Sequence, residues 1–283
     1  MLSFHPCLEK VDCSLALAQN YPLYFASMNT KLIVIPTYDE KDNVGPIAEA
    51  VFGVSPQTDI LFVDDNSPDG TGDLLDKMHA ADARVNVMHR QEKSGLGRAY
   101  VAGFKWALER HYEFVFEMDA DFSHDPGEIP HFITAAENAD LVLGSRYVDG
   151  IRITNWPLSR LMLSKSAALY VRLITGMQVT DPTGGFKCYR RKVLSAIDLD
   201  VIQSNGYSFQ VEMTHTTWNK GFRIAEIPIT FVDRRAGYSK MSGDIFKEAL
   251  WMVWKLALRN HFRRKPLVES QKEPVVNPEE SRP

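Results

Sequence analysis

The chain has 283 residues, a formal net charge of −4 and 45% hydrophobic residues. That length accommodates one or two domains with a full hydrophobic core, and the acidic balance argues against nucleic acid as the main partner. No apolar run reaches the roughly 18–20 residues that a membrane-spanning helix needs, and three cysteines without metal-type spacing indicate a reducing compartment.

Residues 1–30 are predicted to be an N-terminal extension that precedes the folded domain. Glu9, Lys10 and Asp12 interrupt the apolar residues there and no basic region comes first, so the segment does not have the pattern of a signal peptide. Met28 lies just before the first regular pattern, so the segment is either a mis-assigned upstream start or a loose extension.

From Lys31 to about Tyr147, short apolar strands alternate with amphipathic helices. The predicted strands are KLIVIP, TDILFVD, RVNVMHR, YEFVFEM and ADLVLGS. The predicted helices are VGPIAEAVFGV, GTGDLLDKMHA, SGLGRAYVAGFKWALER and IPHFITAAENA. This alternation predicts an α/β fold with a mostly parallel sheet and helices on both of its faces.

After Arg152 the pattern changes. A basic amphipathic helix is predicted at about 157–175, followed by a loop, a short strand and a helix start in TDPTGGFKCYRRKVL, and by a helix in GYSFQVEMTHTTWNKG. FRIAEIPITFVDR is predicted to be a strand with a bend or a sheet edge at Pro228. A last amphipathic helix is predicted within 241–264, and the Pro/Glu/Ser-rich segment 265–283 is predicted to be disordered.

Positive charge is concentrated in one part of this acidic chain. Between Arg152 and Lys192 there are eight basic residues against a single acid, Asp181. The eight are Arg152, Arg160, Lys165, Arg172, Lys187, Arg190, Arg191 and Lys192. A local excess of this kind predicts a surface that faces an anion.

Acidic residues follow three of the predicted strands. They are Asp39 and Glu40 after the first strand, Asp64, Asp65 and Asp69 after the second, and Asp119 and Asp121 after YEFVFEM. In open α/β sheets ligands bind outside the carboxyl ends of the strands, so these acids are predicted to converge at one edge. Taken singly, such acids also serve as helix caps or turn residues, and we favour that interpretation for Asp69 and Asp73.

The pair Asp119 and Asp121 indicates a bound cation. On an extended chain residues at i and i+2 point the same way, so the two carboxylates repel each other unless a cation offsets them. Mg²⁺ and similar hard cations bind one or two carboxylates together with substrate phosphates. A nucleoside diphosphate leaving group held by such a metal therefore explains the pair.

Two other interpretations of these motifs are weaker. SGLGRAYVAG contains a G-x-G turn, but it follows the third strand rather than the first, as a Rossmann dinucleotide site would require. Lys93 and Gly95 there either line a phosphate or nucleobase or simply cap a helix. The stretch DDNSPDGTGDLLD resembles a calcium loop, but Pro68, Gly72 and the preceding strand oppose that assignment.

Motifs along most of the chain resemble one family. They are PTYDEKDN, FVDDNSPDGT, GLGRAYVAGF, MDADFSHDP, LVLGSRYV, TDPTGGFKCYRRKVL, GYSFQVEM and EIPITFVDRRAGYSK. From about Lys31 to Asn260 the sequence resembles the dolichyl (polyprenyl) phosphate mannosyltransferases, or dolichol-phosphate mannose synthases, of glycosyltransferase family 2. DAD is common to many sugar-nucleotide transferases, whereas GSRY, GGFK-YRR and VDRRAGYSK are more specific to the lipid-phosphate branch.

The resemblance implies a fold and a reaction. The fold would be GT-A, a Rossmann-like nucleotide-sugar-binding fold, with a catalytic domain at 31–240. The enzyme would use Mg²⁺ or Mn²⁺ to transfer mannose with inversion from GDP-mannose to a polyprenyl (dolichyl-type) monophosphate, giving a β-mannosyl phospholipid. A same-fold transferase that uses UDP-glucose or another nucleotide sugar remains an alternative, as does a non-catalytic lipid- or calcium-binding module.

The resemblance also implies which residues bind the donor and the metal. The residues implied to bind the guanosine part of the donor are Pro36, Tyr38, Glu40, Val63 and Asp65. For the ribose and diphosphate they are Asp119, Ala120, Arg234 and Lys240. Asp121 would be the main metal ligand, and Ser123, which stands where some members have glutamine, would bind the metal directly or through water.

The acceptor phosphate is assigned in the same way to Arg146, Arg160 and Ser164, with Arg234 also able to meet it. Arg160 and Ser164 are four residues apart and share one helix face. A solvent-exposed basic helix face is the alternative for Arg160, and we favour it for Arg172 and Arg191. The catalytic set implied by the resemblance is Asp119, Asp121, Arg146, Arg160 and Arg234.

A phosphate acceptor needs no general base, because its second pKa near 6 leaves it largely ionised at neutral pH. His124 is accordingly interpreted as a loop residue. The basic helix at 157–175 and the helix within 241–264, with Trp251, Trp254 and flanking Arg/Lys, are predicted to lie in a membrane interface; the alternative is ordinary core-facing helices. The protein is therefore predicted to bind peripherally at the cytoplasmic face of a membrane. Because its last residues are polar, an accessory membrane subunit is a possible partner.

Overall fold

A computed structural model of the chain describes residues 30–202, 204–232, 243–259 and 269–270. The strands are β1 Lys31–Thr37, β2 Thr58–Asp64, β3 Val85–His89, β4 Phe114–Glu117, β5 Leu141–Ser145, β6 Ile153–Thr154, β7 Lys187–Arg190, β8 Ile224–Pro228, β9 Phe231–Val232 and β10 Glu269–Ser270. The helices are α1 Lys41–Val54, α2 Thr71–Ala81, α3 Leu96–Glu109, α4 Ile129–Ala136, α5 Leu158–Thr175, α6 Arg191–Ala196, α7 Gly206–Asn219 and α8 Gly243–Arg259.

Eight of the strands form one sheet in the order β10-β8-β5-β7-β4-β1-β2-β3. Every pairing in it is parallel except the two made by β7, which runs antiparallel to β4 and to β5. The prediction of a mostly parallel α/β sheet is therefore confirmed. The insertion of β7 between β4 and β5 was not predicted, because a four-residue strand carries no signal for which neighbours it will pair with.

The sheet is buried on both faces, and each face has its own hydrophobic core. In β1, Leu32 and Val34 pack with α3 and α7 on one side, whereas Ile33 and Ile35 pack with α1 and α4 on the other. All four side chains are fully buried. Strands covered on both faces are expected to be continuously apolar, which explains why KLIVIP does not alternate between apolar and polar residues.

The last part of the chain adds a small second sheet and a helical layer. In the second sheet β6 pairs with β9 in parallel. Helix α8 packs against α5 and α7; the Tyr170 hydroxyl donates to the Leu250 carbonyl at 3.1 Å, and Val253 and Leu256 are buried. Within the described residues, none of the helices is long and apolar enough to cross a bilayer.

Some predictions fall outside what the structure describes. The extension before residue 30 lies there, as does most of the segment 265–283. Two residues of that segment, Glu269 and Ser270, pair with β8 in parallel, and the disorder of the segment stays a prediction. Arg234 and Lys240 also lie outside the described residues.

Candidate active site

The order of the strands brings the strand-end acids together. Strands β4, β1 and β2 are neighbours in the sheet and run parallel, with Thr37 opposite Asp64 and Val34 opposite Glu117. The loops after the three strands therefore leave the same edge of the sheet. The backbone N–H of Asp65 donates to the carbonyl of Thr37 at 3.0 Å, which ties the first two of these loops together.

The residues expected at the guanosine end line this edge. Pro36 is in β1, and Val63 is a fully buried residue of β2. Tyr38 lies in the loop after β1, where the Lys93 ammonium is 3.3 Å from its ring centroid. Lys93 thus lies beside the expected nucleobase site, whereas Gly95 is the N-cap residue of α3, as the capping interpretation expects.

Two further acids at this edge have defined partners. One Glu40 carboxylate oxygen accepts a hydrogen bond from the Asn43 side chain at 2.6 Å. Asp65 is buried, and its carboxylate accepts a hydrogen bond from Arg90 Nη1 at 2.6 Å. Arg90, which was not predicted as a site residue, thus orients Asp65 through a charge-assisted bond.

Other acids in the same region hold loops. Asp64 accepts a hydrogen bond from the Ser67 hydroxyl at 2.5 Å. Asp69 accepts one from the Thr71 backbone N–H at 2.9 Å. The turn interpretation of Asp69 agrees with that contact, and Asp73 lies in the first turn of α2.

The loop after β4 is held from both sides. The Tyr100 hydroxyl donates to the Asp119 carboxylate at 3.3 Å, and the Asp119 backbone N–H donates to His124 Nδ1 at 3.1 Å. His124 is buried and its ring stacks on Phe186 at a centroid distance of 5.1 Å. His124 thus lies in this loop and holds its backbone through Nδ1.

Asp121 and Ser123, the predicted metal ligands, lie close together in this loop. Both residues are buried, and one Asp121 carboxylate oxygen accepts the Ser123 backbone N–H at 3.0 Å. The Ser123 hydroxyl has no hydrogen-bond partner among the described residues. Phe122 between them has a φ of 62°, a left-handed conformation that is uncommon for a bulky residue and concentrates at functional sites.

Asp121 and Ser123 suit a metal ion whose coordination shell is completed by the phosphates of the substrate. The described part of the chain contains no group of three His, Cys, Asp or Glu side chains placed to hold a metal ion. Mg²⁺ usually takes only one or two carboxylates from the protein and the rest of its ligands from phosphates and water. An orphaned buried hydroxyl beside the Asp121 carboxylate suits that chemistry. Ala120, between Asp119 and Asp121, is also buried.

A buried charge network lies directly beneath this loop. Lys187 is fully buried in β7 and donates to the carbonyl of Gln210 at 2.9 Å and to the side-chain oxygen of the same residue. Glu117 accepts a hydrogen bond from the Tyr189 hydroxyl at 2.9 Å. Burial raises the pKa of Glu117 despite the field of Lys187, and burial lowers the pKa of Lys187 to about 8 despite the field of Glu117.

Arg146, for which the resemblance implies contact with the acceptor phosphate, is paired with a buried acid. It is buried, and its guanidinium donates two hydrogen bonds of 2.7 Å to Asp181 and one of 2.8 Å to Thr183. Burial alone would raise the pKa of Asp181, but the field of Arg146 and its hydrogen bonds lower it. Glu226 in turn accepts the backbone N–H groups of Thr180 and Asp181 at 2.6 and 2.9 Å.

Arg160 and Ser164 line a cavity of about 310 Å³ between α5, α7 and α8. Its walls are mostly apolar and include Leu163, Val211 and Val253. Arg172 and Arg191 are not among the lining residues; the Arg191 side chain donates to the Leu108 carbonyl at 2.7 Å.

One ring connects this cavity with the loop after β4. Phe231 packs edge-on against His124 at 5.9 Å and against Trp156, a cavity residue, at 5.5 Å. The carboxylate edge and the cavity therefore adjoin each other across a single aromatic side chain. The sequence analysis did not predict Trp156 or Phe231 as site residues. The one available signal was in NWPLSR, where Trp156 stands four positions before Arg160 and can therefore lie on the same side of a helix.

Helices α5 and α8 also expose apolar side chains to solvent. The largest exposures are those of Leu173 at 73% and Trp251 at 72%. The others are Leu158, Met162, Leu163, Leu169, Trp254 and Leu258. Contiguous exposed apolar residues of this kind mark interaction surfaces.

Two curated relatives and one family match the sequence closely. The model of glycosyl transferase family 2 matches residues 32–198. The undecaprenyl-phosphate mannosyltransferase of Micrococcus luteus is 51% identical over 234 residues, which cover 81% of this chain and 95% of the relative. The polyprenol monophosphomannose synthase of Mycolicibacterium smegmatis is 48% identical over 235 residues, which cover 82% and 89%.

Solved structures support the fold at much lower identity. TarS 1-349 of S. aureus in complex with UDP-GlcNAc aligns with a TM-score of 0.55 at 17% identity, covering 82% of this chain and 68% of the other. The mannosyltransferase PcManGT of Pyrobaculum calidifontis, in complex with GDP-Man and Mn²⁺, aligns with a TM-score of 0.50 at 15% identity, covering 82% and 70%. The GT-A fold is thereby confirmed. The chain is an enzyme of glycosyl transferase family 2, and along most of its length it is similar to polyprenyl-phosphate mannosyltransferases.

Proposed function

We propose that the enzyme transfers mannose, with inversion, from GDP-mannose to a polyprenyl (dolichyl-type) monophosphate and that it depends on Mg²⁺ or Mn²⁺. The names of the two relatives near 50% identity support the sugar and the acceptor. The one observation that carries the proposal is the adjacency of two unlike sites. A carboxylate edge suited to a metal-bound diphosphate adjoins, across Phe231, an apolar cavity that contains Arg160 and Ser164.

The donor half of the reaction is assigned to the loops after β1, β2 and β4. Tyr38, Glu40 and Asp65 would hold the nucleoside, and Asp119 the ribose and diphosphate. Asp121, with Ser123, would hold the divalent ion, which when bound neutralises the departing diphosphate. His124 and Tyr100 keep Asp119 in place while the leaving group departs. Arg234 and Lys240 remain proposed diphosphate ligands.

The acceptor half is assigned to α5. Arg160 would hold the lipid phosphate electrostatically, and Ser164 would add a hydrogen bond. Because the phosphate monoester is already ionised near neutral pH, its oxygen attacks the anomeric carbon without a base. The apolar walls of the cavity suit the first isoprene units of the lipid.

The experiment that tests this function supplies purified protein with labelled GDP-mannose or UDP-glucose and a short polyprenyl phosphate, with and without EDTA. We expect a mannosylated lipid from GDP-mannose alone and none in EDTA. Transfer from UDP-glucose instead would show that the donor assignment is wrong. A protein that binds lipid or calcium but forms no glycolipid from either donor would overturn the enzyme assignment.

Asp121→Asn provides the matched test of the metal site. We expect it to lower turnover by at least about 10²-fold, as loss of an electrostatic catalytic group does. Asp73→Asn is the control, because this exposed acid lies in the first turn of α2 and is not a predicted ligand of donor, acceptor or metal, so it should retain activity. Equal activity of the two variants would remove Asp121 from the site.

We further propose that the enzyme works as a peripheral protein on the cytoplasmic face of a membrane, since its acceptor is a lipid. The exposed apolar side chains of α5 and α8 support this, because amphipathic helices with exposed Trp and Leu and flanking basic residues lie in membrane interfaces. An accessory membrane subunit remains a prediction that rests on sequence alone.

A further inference from the structure

The two side chains of α5 proposed to meet the acceptor phosphate are each held by an aromatic residue from outside the helix. The Tyr147 hydroxyl donates to the Ser164 hydroxyl oxygen at 2.8 Å. The Arg160 guanidinium carbon lies 4.1 Å from the centroid of a Trp156 ring. Tyr147 follows β5 and Trp156 precedes α5, so each contact fixes a helix side chain to a different loop.

Both aromatic residues pack on the same buried cation. The Arg146 guanidinium carbon is 5.3 Å from the ring centroid of Tyr147 and 5.6 Å from those of Trp156 and Phe231. These distances lie within the range of about 6 Å over which cation–π attraction acts. Asp181 and Thr183 hold Arg146 itself through three hydrogen bonds, so the rings rest on a side chain that cannot rotate away.

We infer that Tyr147 and Trp156 are positioning residues that orient Ser164 and Arg160 towards the acceptor phosphate, and that buried Arg146 anchors the two rings. The inference rests on the proposed function. Its physical basis is preorganisation: a long arginine side chain loses less freedom on binding if it is already stacked in place. The Trp156 indole N–H makes no hydrogen bond within the described residues, so its ring faces carry the role.

The test measures acceptor binding separately from chemistry. The Kd of a short polyprenyl phosphate is determined calorimetrically without donor, and kcat and KM for both substrates are then determined with the donor that the wild type uses. We expect Tyr147→Phe to weaken acceptor binding about fivefold, the effect of one hydrogen bond. Trp156→Leu should weaken it about tenfold, within the range of a partly desolvated cation–π contact, whereas Trp156→Phe should retain most of the affinity. Donor KM should not change.

The chain offers close controls. Trp106 carries the same i, i+4 stack, with the Arg110 guanidinium carbon 3.9 Å from its ring, on α3 outside the cavity. Tyr112 donates its hydroxyl to Asp59 at 2.7 Å. Trp106→Leu and Tyr112→Phe should therefore leave acceptor Kd at the wild-type value.

Double variants separate positioning from general packing. If Trp156 acts through Arg160, Trp156→Leu should add little to Arg160→Gln, and likewise Tyr147→Phe should add little to Ser164→Ala. If the fold-changes in acceptor Kd of the single variants multiply in the double variants, the inference is overturned. The same holds if donor KM rises as much as acceptor Kd. Variants that bind acceptor like an active wild type would overturn it while leaving the proposed function intact. A wild type that binds no polyprenyl phosphate would overturn both.

Discussion

Replacing Asp181 by asparagine isolates the electrostatic term of the Arg146–Asp181 pair. Asparagine keeps the size of the side chain and one acceptor oxygen, but it leaves the Arg146 charge uncompensated at a position that is only 4% exposed. Removing one partner of a buried ion pair costs about 3–5 kcal/mol. With a urea m-value of about 2–3 kcal/mol/M, the midpoint of unfolding should fall by about 1–2.5 M. Urea titration followed by tryptophan fluorescence and circular dichroism measures this shift.

Two controls make the reasoning refutable. Asp82→Asn removes the partner of Arg84 in a pair with a 2.6 Å contact, but both side chains are about one-third exposed, so it should cost no more than about 1 kcal/mol. In the Asp181→Asn/Arg146→Met double variant the uncompensated charge is gone, so part of the lost stability should return. The reasoning is refuted if Asp181→Asn lowers the free energy of unfolding no more than Asp82→Asn does. It is also refuted if the double variant is less stable than Asp181→Asn alone, because Arg146 and Asp181 would then not act as a buried ion pair.

Three further predictions concern other parts of the molecule. The fold lowers the pKa of Asp181, so the ionised carboxylate stabilises the protein above its unfolded pKa near 4, and this stabilisation is lost as the pH falls through its folded pKa. In urea titrations, the difference in unfolding free energy between wild type and Asp181→Asn should therefore shrink below about pH 4. Gly97→Ala should destabilise the protein by about 1–3 kcal/mol, because its methyl group would overlap the Ser204 carbonyl. Gly53→Ala, with open space around it in α1, should instead stabilise the protein slightly in thermal melts. Trp251→Ser and Trp254→Ser should each reduce co-sedimentation with anionic phospholipid vesicles several-fold. The control Val54→Ser, which also replaces an exposed apolar residue, should not reduce it. Unchanged sedimentation of the tryptophan variants would exclude α8 from the membrane contact.

Much of the site follows from local sequence. Strands β1 to β5 and their helices are visible as apolar runs and amphipathic periods, because burial on a sheet face or a helix face repeats every few residues. Acids directly after β1, β2 and β4 meet because strands that run parallel in one sheet end at the same edge. The assignment of donor and acceptor residues came from family resemblance, and their roles remain proposals.

Arg146 shows where this reasoning stops. The resemblance implies that it meets the acceptor phosphate, but no local pattern indicates its partner Asp181, which is 35 residues away and follows α5 in the chain. The cavity depends on three helices from separate segments, and β7 enters the sheet antiparallel between two strands that precede it. The sequence by itself determined the alternation of strands and helices up to β5 and the positions of the acids at the strand ends, since both depend on neighbouring residues. Only the tertiary structure decided which charges are buried against each other and which rings hold Arg160 and Ser164, because those contacts join residues that packing alone brings together.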